Sequence, residues 1–360
     1  MNSIPTEHIG SIPRPLELIE AYKKHVRGEI SAQELDAIAM QATLDTIGKL
    51  EETGSPCIGD GEQRKFSSFA SYYLHGATNI APDGVEIVFT DSNQHRLTRR
   101  LPRLTGGGFR YQMSGDRFLA ETLKHTTLPV KQAIISPAIL SFLYPKIAIE
   151  GYSQNQFLRD VTREYTSEIQ RCLELGAHKV QIDFTEGRLS LKLDPSGELL
   201  EGMIDMINSG LDGFSAEQRQ KIGLHTCPGS DRDSTHSADV DYKYLLPTLF
   251  QANVGNFYIA MAVEPEPEKA LRLIQTLLRP DIKVFIGVID PIDPQIETPE
   301  QVRDRVLQAA QYIPVEQLGT TDDCGFSPFL DDDSTSRDTA FAKISARVQG
   351  TRMAAEILLG

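Results

Sequence analysis

The strongest constraint on the fold is a regular alternation of short apolar runs and longer amphipathic stretches along the chain. The apolar runs, several of them rich in β-branched residues, suit strands that are buried on both faces of a parallel sheet. The predicted strands are 8–12, 57–61, 131–136, 179–184, 221–226, 256–261, 283–289 and 317–321. The predicted helices are 34–53, 116–124, 155–175, 196–209, 241–251, 266–278, 299–312 and 336–358. About eight repeats in 360 residues favour an α/β fold made of a single (β/α)8 TIM-type barrel spanning 1–360, over a doubly wound open sheet.

Residues 84–112 interrupt this alternation. The segments VEIVFTD and HRLTRRLPRL alternate in polarity with a period of two on either side of Asp91 to Gln94, which predicts a β-hairpin inserted into the barrel. HRLTRRLPRL is also the densest basic segment of the chain. Because it has no interleaved aromatic residues, we interpret it as a solvated hairpin face.

Charge and composition restrict the partners. The chain has 36 Lys and Arg against 50 Asp and Glu, a net charge of −14, which repels a polyanion, so we predict no nucleic-acid partner. No segment approaches the roughly 20 apolar residues that span a bilayer, and the N-terminus lacks a signal-peptide pattern. We therefore expect a cytoplasmic protein without a membrane partner. In that compartment the four cysteines are expected as buried thiols, metal ligands or nucleophiles rather than disulfides. No feature indicates the oligomeric state.

Polar residues cluster at the predicted strand ends, where a (β/α)8 barrel gathers its catalytic groups. They are Gly10, Ser11, Asp60, Gly61, Glu62, Asp183, His225, Cys227, Asp290, Asp293, Asp322, Asp323 and Cys324. Helix capping is an ordinary explanation for acidic residues at such positions, and it suffices for Asp290 and Asp322. Glu62 and Asp183 are harder to explain in that way, because both carboxylates lie where a bound ammonium or an attacking group could meet them.

His225 and Cys227 are two residues apart, so in an extended segment both side chains point to the same side. Zinc binds imidazole and thiolate, but an isolated HxC motif is more often a hydrogen-bonded histidine beside a buried thiol. Cys324 changes this balance, because it follows the last predicted strand and a barrel brings the two strand ends to one rim. One histidine and two cysteines make the three protein ligands of a catalytic zinc site. Cys57 and Cys172 are predicted to be structural.

Five motifs resemble the catalytic domain of cobalamin-independent methionine synthase and its single-domain relatives, which include epoxyalkane:coenzyme M transferases. They are IGSIPRP (9–15), DGEQR (60–64), VQIDF (180–184), LHTC (224–227) and DDCGF (322–326). The resemblance implies a TIM-type barrel in which Zn²⁺ activates a substrate thiol, with His225, Cys227 and Cys324 as the zinc ligands. It also implies that the amino-acid part of homocysteine is held at Ile9, Gly10, Ser11, Glu62 and Asp183. Asp183 is further expected to act in catalysis.

The chain departs from the family pattern at the fourth zinc ligand. The synthases carry an acidic ligand on the strand after HxC, and the corresponding position here is Ala260 or Met261. Glu264 and Glu266 follow closely and would have to reach back. Either of them, or a water molecule, is left as the candidate to complete the metal shell.

A second departure concerns the alkyl donor. The family's DIHSP segment carries a histidine near the methyl donor, and here it corresponds to DPIDP (290–294), in which Ile292 replaces that histidine. Asp293 is the nearest substitute and is our second predicted catalytic residue. The full-length synthases also carry an additional N-terminal barrel that helps to bind folate. This chain starts at the catalytic barrel, so a folate donor is not favoured.

The first expectation is therefore a zinc-dependent thiol alkyltransferase, most simply one that methylates homocysteine or a similar small thiol. The donor stays open between a methylated corrinoid, a simpler methyl compound and a folate. A second interpretation keeps the zinc but adds the thiol to an epoxide or activated alkene, or cleaves a carbon–sulfur bond. A third keeps only the fold, as in uroporphyrinogen decarboxylase, and makes the chain a metal-free decarboxylase or a binding protein.

Overall fold

A computed structural model describes residues 3–90 and 96–360. The strands are β1 (Ile80–Ala81), β2 (Glu86–Thr90), β3 (Arg96–Arg100), β4 (Arg103–Leu104), β5 (Lys131–Ile135), β6 (Lys179–Asp183), β7 (Ile222–Thr226), β8 (Asn256–Ile259), β9 (Lys283–Ile289) and β10 (Leu318–Asp322). The helices are α1 (Leu16–Val26), α2 (Ala32–Glu52), α3 (Gly115–Thr122), α4 (Pro137–Leu140), α5 (Gln154–Glu174), α6 (Glu186–Leu193), α7 (Glu198–Leu211), α8 (Ala216–Arg219), α9 (Tyr242–Leu249), α10 (Pro267–Leu277), α11 (Pro299–Ala309) and α12 (Arg337–Leu359).

The centre of the fold is a six-stranded sheet in the order β10-β9-β8-β7-β6-β5, in which every neighbouring pair is parallel. The strands β5, β6, β7 and β10 are buried along their whole length. This explains why they read as continuous apolar runs rather than as alternating ones. The predicted α/β fold with a parallel sheet and surrounding helices is confirmed.

Two further segments flank the sheet where the sequence predicts the first two strands. Thr6 forms a parallel bridge with Thr320 at one edge, and Ile58 forms a parallel bridge with Val130 at the other edge. The backbone N–H of Ile12 then donates to the carbonyl of Gly61 at 3.0 Å, which joins the two flanking segments. The sheet therefore curves until its edges approach each other. Instead of the ladders predicted at 8–12 and 57–61, these segments make isolated bridges at Thr6 and Ile58.

The predicted helices between the strands are confirmed, with ends that shift by a few residues. Helix α5, for example, begins at Gln154 and not at the predicted residue 155. The Ser153 side chain accepts a hydrogen bond from the Gln156 N–H and caps the first turn. Its buried face carries residues at spacings of three or four, which are Phe157, Val161, Tyr165, Ile169 and Cys172. Cys172 is thus a core residue, as predicted. Helix α1 was missed, and it packs on α2 through a small apolar cluster that includes Leu18, Tyr22 and Leu35.

The inserted hairpin is present. Strands β2 and β3 pair in antiparallel register from Glu86 with Arg100 to Thr90 with Arg96. The short strands β1 and β4 form a separate antiparallel pair next to them in sequence. The turn predicted at Asp91 to Gln94 lies outside the described residues. Within the described ranges, no helix has both the length and the apolar character that crossing a bilayer requires.

Helix α12 is tied to the centre of the sheet by a buried arginine. The guanidinium of Arg347 donates to the carboxylate of Asp322 at the end of β10 and, through Nε, to the Thr6 hydroxyl at 3.1 Å. Asp322 therefore pairs with an arginine of α12, where the sequence favoured a helix cap. This contact fixes the C-terminal helix, the N-terminal segment and the last strand relative to one another.

Candidate metal centre and adjoining cavities

The three predicted metal ligands come together. His225 lies on β7, Cys227 directly follows that strand, and Cys324 follows β10. All three are buried, their ligand atoms lie within 4.8 Å of one another, and the two sulfur atoms are 3.0 Å apart. Neighbouring strands are about 4.8 Å apart, so a flat sheet would separate β7 from β10 by roughly 14 Å. The curvature of the sheet is therefore what brings the two sulfurs into contact.

The cluster contains buried polar atoms without hydrogen-bond partners, which a bound metal ion would satisfy. Neither ring nitrogen of His225 has a hydrogen-bond partner, although the residue is buried, and such orphaned groups are costly. The hydrogen bond between the two thiols holds the pKa of Cys324 well below its usual range, and His225 acts in the same direction. The same bond, together with burial, raises the pKa of Cys227 well above its usual range. One nitrogen and two sulfur donors are ligands that zinc accepts.

The position expected for a fourth, acidic ligand holds a methyl group. Ala260, just beyond β8, packs in one apolar cluster with Cys227 and Cys324. The hydroxyl of Tyr242 donates to the Ala260 carbonyl oxygen and fixes the backbone there. The side chain beside the two sulfurs is thus unable to bind a metal.

Asp323 holds the loop that carries Ala260. Its carboxylate accepts hydrogen bonds from the backbone N–H groups of Met261 at 2.8 Å, Ala262 at 2.9 Å and Val263 at 3.1 Å. Burial raises the pKa of Asp323 to about 7, while the three donors act in the opposite direction. Asp323 therefore stabilises the loop after β8, a role for which the sequence offered no signal.

The two nearby glutamates point to other partners. Glu264 is half-buried and pairs with Arg188, at 3.7 Å between the carboxylate and the guanidinium. Glu266 is exposed and pairs with Lys269 at 3.1 Å. Neither glutamate contributes to the cluster of three ligands.

The residues predicted to bind the amino-acid part of the substrate share one narrow cavity of about 30 Å³ beside the cluster. Its lining includes Ile9, Gly10, Ser11, Glu62, Asp183, His225 and Cys324. The N-terminal segment supplies the first three, the loop after Ile58 supplies Glu62, and β6 ends at Asp183. Asp183 pairs in register with His225 on the neighbouring strand. The structure thus places every one of these predicted residues against the candidate metal site.

Glu62 is fixed by a buried ion pair. Its Oε1 accepts a hydrogen bond from Lys65 Nζ at 2.8 Å, and Lys65 also donates to the carbonyl of Ala133 at 3.0 Å. The backbone of Glu62 has a positive φ of 60°, and its N–H donates to Asp60 at 2.8 Å. A Cβ atom on Gly10 would lie 2.9 Å from Glu62 Oε1, so a side chain at position 10 would push this oxygen out of its bond to Lys65.

Asp183 is the second buried carboxyl of the narrow cavity. Burial and the nearby charge of Glu62 raise its pKa to about 6, while its Oδ1 accepts a hydrogen bond from Gln181 Nε2 at 2.7 Å. Ser11 Oγ accepts from the N–H of Ser327 at 3.3 Å and can still donate. The two carboxyl groups are suited to an ammonium group, and the hydroxyl is suited to a carboxylate.

Asp293 lies outside the narrow cavity and also outside the larger cavity described in the next paragraph. It lies exposed on the loop after β9, where its Oδ1 accepts a hydrogen bond from the Gln295 N–H at 2.9 Å. Asp290 closes a similar turn with the N–H of Ile292 at 2.9 Å. The catalytic role of Asp293 stays a prediction.

A larger cavity of about 790 Å³ lies on the other side of Cys324, and we call it the outer cavity. It shares Phe69, Thr185, Cys324 and Pro328 with the narrow cavity. The volume is in the usual range for a small-molecule site. Its walls are mainly apolar. Cys324 is the one residue of this lining that was predicted as a site residue, and the other polar groups there include Glu186, His236 and Arg99.

The inserted hairpin forms one wall of the outer cavity through Arg99. The guanidinium of Arg99 makes two hydrogen bonds of 2.6 Å to the carboxylate of Asp231, on the loop that follows Cys227. It also pairs with Asp331 at 3.1 Å and lies 4.0 Å from the ring centroid of Phe329. Arg99 belongs to the basic stretch that we interpreted as a solvated face. That interpretation is wrong for Arg99, because three loop residues cover its side chain.

Glu186 is the polar group of the outer cavity that is most isolated. It lies in the first turn of α6, is only 4% exposed, and neither of its carboxylate oxygens has a hydrogen-bond partner. Burial raises its pKa to about 7. A glutamate in the first turn of a helix is common, so no sequence pattern distinguishes Glu186.

Sequence comparisons place the whole chain beside one group of proteins. Residues 4–342 match the family described as cobalamin-independent synthase, catalytic domain. The chain is 26% identical to a methionine synthase of Sulfurisphaera tokodaii, over 99% of this chain and 94% of that protein. It is 24% identical to the uncharacterised protein YxjH of Bacillus subtilis, over 94% and 91% of the two chains.

A structural comparison shows the same fold in a solved protein. A B12-independent methionine synthase from Shewanella sp. W3-18-1, in complex with selenomethionine, superimposes with a TM-score of 0.78. The match covers 99% of both chains at 19% sequence identity. At that identity the likeness concerns the fold alone.

Proposed function

The chain belongs to the catalytic-domain family of cobalamin-independent methionine synthases, and on this premise we propose that it is a zinc-dependent thiol alkyltransferase. It transfers a methyl or other alkyl group to the thiol of homocysteine or a similar small amino-acid thiol. One observation carries the proposal: the ligand cluster and the narrow acidic cavity share His225 and Cys324. A thiol at the cluster therefore has its amino-acid part beside Ser11, Glu62 and Asp183.

His225, Cys227 and Cys324 would hold the zinc ion. Zinc bound there lowers the pKa of a coordinated thiol, so that a thiolate is available as nucleophile at neutral pH. Ala260 leaves the remaining position to the substrate or water.

The residues of the narrow cavity orient the thiol substrate. Glu62 and Asp183 bind its ammonium group, and Ser11 donates a hydrogen bond to its carboxylate. Lys65 keeps one oxygen of Glu62 in place, and Gln181 does the same for Asp183. Such positioning is a large part of the rate gain when two reactants must meet in line. Asp183, at a pKa of about 6, is also the group best placed to exchange a proton with the bound substrate.

Two structural aspects belong to the same proposal. The segments that bridge at Thr6 and Ile58 complete a closed (β/α)8 barrel as one domain, because they bind opposite edges of the sheet and bind each other. The site also requires a reducing compartment such as the cytoplasm. Sulfur atoms 3.0 Å apart would otherwise be oxidised before a metal binds.

Metal analysis tests the proposal. Purified protein is expected to contain about one zinc per chain, Cys324→Ser should lose most of it, and Cys172→Ser should keep it because Cys172 is buried in the core. The absence of metal from the wild-type protein, purified without chelators, would return the chain to the metal-free interpretations.

Kinetics with two thiols test whether Glu62 binds the ammonium group of the substrate. Glu62→Gln is expected to raise the KM for homocysteine at least about tenfold, since charged hydrogen bonds contribute roughly 1.5–3 kcal/mol. The KM for propanethiol, which has no ammonium group, should change little. An equal change for both thiols would mean that Glu62 is only structural.

A second candidate reaction is the addition of the thiol to an epoxide or alkene, or the reverse cleavage. Two features favour keeping it: the methyl group of Ala260 stands in place of an acidic ligand, and the outer cavity is largely apolar. Assays of homocysteine with methyl donors and with epoxides separate the two reactions. Turnover of the epoxides alone would reject methyl transfer.

A further inference from the structure

The charges that line the outer cavity are unevenly paired. Arg99 is bound by Asp231 and Asp331, and Arg100 pairs with Glu86 on the neighbouring strand. Among the described residues that line the cavity, Glu186 is a charged group without a counter-ion. Asp231 pairs with Arg99, and Asp331 pairs with both Arg99 and Arg232. Ionisation of Glu186 therefore adds a negative charge to the lining that has no counter-ion.

Aromatic side chains line the same cavity as Glu186. They are Phe69, Tyr73, Phe66, which is stacked on His75, and Phe329, whose ring lies 4.0 Å from the Arg99 guanidinium. The faces of aromatic rings attract cations, and the attraction reaches about 2 kcal/mol when the cation is desolvated. A buried carboxylate without a partner is costly, and a cation in the cavity would remove that cost. Aromatic rings and a lone carboxylate together form a site for a cation with an alkyl surface.

We propose that the outer cavity binds a cationic alkyl donor, a sulfonium or a quaternary ammonium compound, with Glu186 as its counter-ion. The inference rests on the proposed function and specifies the class of its second substrate. Cys324 lines both cavities, so an alkyl group of the donor can face the thiol held in the narrow cavity.

Alkyl transfer from such a donor does not need an acid to protonate the leaving group. The thiolate lone pair forms the new sulfur–carbon bond, and the carbon–sulfur or carbon–nitrogen bond of the donor breaks. Its electron pair stays on the leaving atom, which becomes a neutral sulfide or amine. One negative and one positive charge disappear, and no proton is transferred.

The surroundings of Glu186 determine how the site responds to pH. Its own backbone N–H, the Ser136 hydroxyl and the Ile139 N–H lie outside hydrogen-bonding geometry but lower its pKa, and Asp183 raises it. Tyr73 has a raised pKa, mainly from burial, and stays neutral.

The histidines of the outer cavity are not expected to titrate in the same range as Glu186. Burial lowers the pKa of His236 to about 4, and it also lowers the pKa of His75. Within the outer cavity, the ionisation of Glu186 is therefore the main change between pH 6 and 8. Asp183, in the narrow cavity, has a pKa of about 6 and adds negative charge in the same direction.

Matched ligands test the proposal on the zinc-loaded protein. Choline and 3,3-dimethylbutan-1-ol have the same shape, but only choline is charged, and calorimetry gives both dissociation constants. Choline is expected to bind at least about tenfold more tightly. Glu186→Gln should weaken choline at least about tenfold and the alcohol less than about twofold. Glu198→Gln, an exposed first-turn glutamate of α7, is the control and should change neither.

The wild-type protein offers a test that needs no variant. With a pKa of about 7, the ionised fraction of Glu186 rises about tenfold from pH 6 to 8, and choline affinity should rise with it. The alcohol should bind equally at both pH values. Equal affinities for the two ligands, equal effects of Glu186→Gln on both, or choline binding that is flat with pH would each overturn the proposal.

Turnover separates this inference from the proposed function. Homocysteine methylation by a sulfonium donor should show a KM at least about tenfold higher in Glu186→Gln, with kcat changed less than about threefold. A zinc protein that methylates homocysteine only from uncharged donors would refute the cationic donor alone. A protein without zinc and without thioether formation would refute the proposed function itself.

Discussion

Replacement of Lys65 by methionine is expected to destabilise the protein by about 3–5 kcal/mol, because it leaves the Glu62 carboxylate buried without its counter-ion. The two charged groups are 2.8 Å apart, and their side chains are only 0% and 4% exposed. At that distance the attraction is about 6 kcal/mol for an effective dielectric constant of about 20. Desolvation of both ions offsets part of it. The variant also loses the hydrogen bond to Ala133, while methionine keeps most of the packing volume.

A double-mutant cycle measures the pair directly. Urea unfolding of the zinc-loaded protein at pH 7 gives the free energy for Lys65→Met, Glu62→Gln and the double variant. The coupling is expected to exceed about 2 kcal/mol, since the second change removes the unpaired charge that the first creates.

The control pair has the same spacing of three residues but is exposed. Lys124 and Glu121 are 2.7 Å apart with 63% and 26% of their side chains exposed, and their coupling should stay below about 0.5 kcal/mol. Equal couplings for both pairs would refute the argument that burial makes the Glu62 pair strong.

Three further predictions concern other parts of the molecule. Removal of metal followed by mild oxidation should join Cys227 to Cys324, whose sulfurs are 3.0 Å apart, and reduce the thiol count of the denatured protein from four to two; a count that stays at four would contradict this. Arg99→Met should raise the KM for the alkyl donor about three- to tenfold without loss of zinc, because the cavity wall loses its bond to Asp231; an unchanged KM would show that the hairpin is not needed there. Burial raises the pKa of Glu168 to about 7, above its unfolded value, so its contribution to stability should be lost as pH rises from about 4 to 7. The drop in unfolding free energy from pH 5 to 8 should accordingly be smaller in Glu168→Gln, and an equal drop would reject this assignment.

The sequence predicted most of the architecture, because buried parallel strands and amphipathic helices leave clear periodic patterns. The prediction was wrong where isolated tertiary contacts take the place of a continuous strand ladder. At 8–12 and 57–61 the strands were expected to pair along their length, but the backbone at Gly61 and Glu62 adopts positive φ values of 62° and 60°. That turn aims the Glu62 side chain into the narrow cavity and ends the extended conformation.

The site was predictable only in part for a similar reason. His225, Cys227 and Cys324 are rare residue types at strand ends, so the sequence alone suggested that they bind a metal. Glu186 and Arg99 are common residue types. Glu186 is distinguished by the lack of a hydrogen-bond partner, and Arg99 is distinguished by its pairing with Asp231. Burial without a hydrogen bond is a property of the folded chain, and no spacing in the sequence encodes it.

The bond between Arg347 and Asp322 has a consequence for biosynthesis. A ribosome adds about 5–20 residues per second, and 97 residues separate Cys227 from Cys324, so the first two ligands are made roughly 5–20 s before the third. The strand that positions Cys324 is in turn secured by Arg347, which is translated later still. A nascent chain therefore displays an incomplete thiol pair that can be captured by the wrong metal or by oxidants. We expect zinc to be acquired only after α12 has been translated and has packed on the sheet, and chains that stall before α12 to be cleared by proteases.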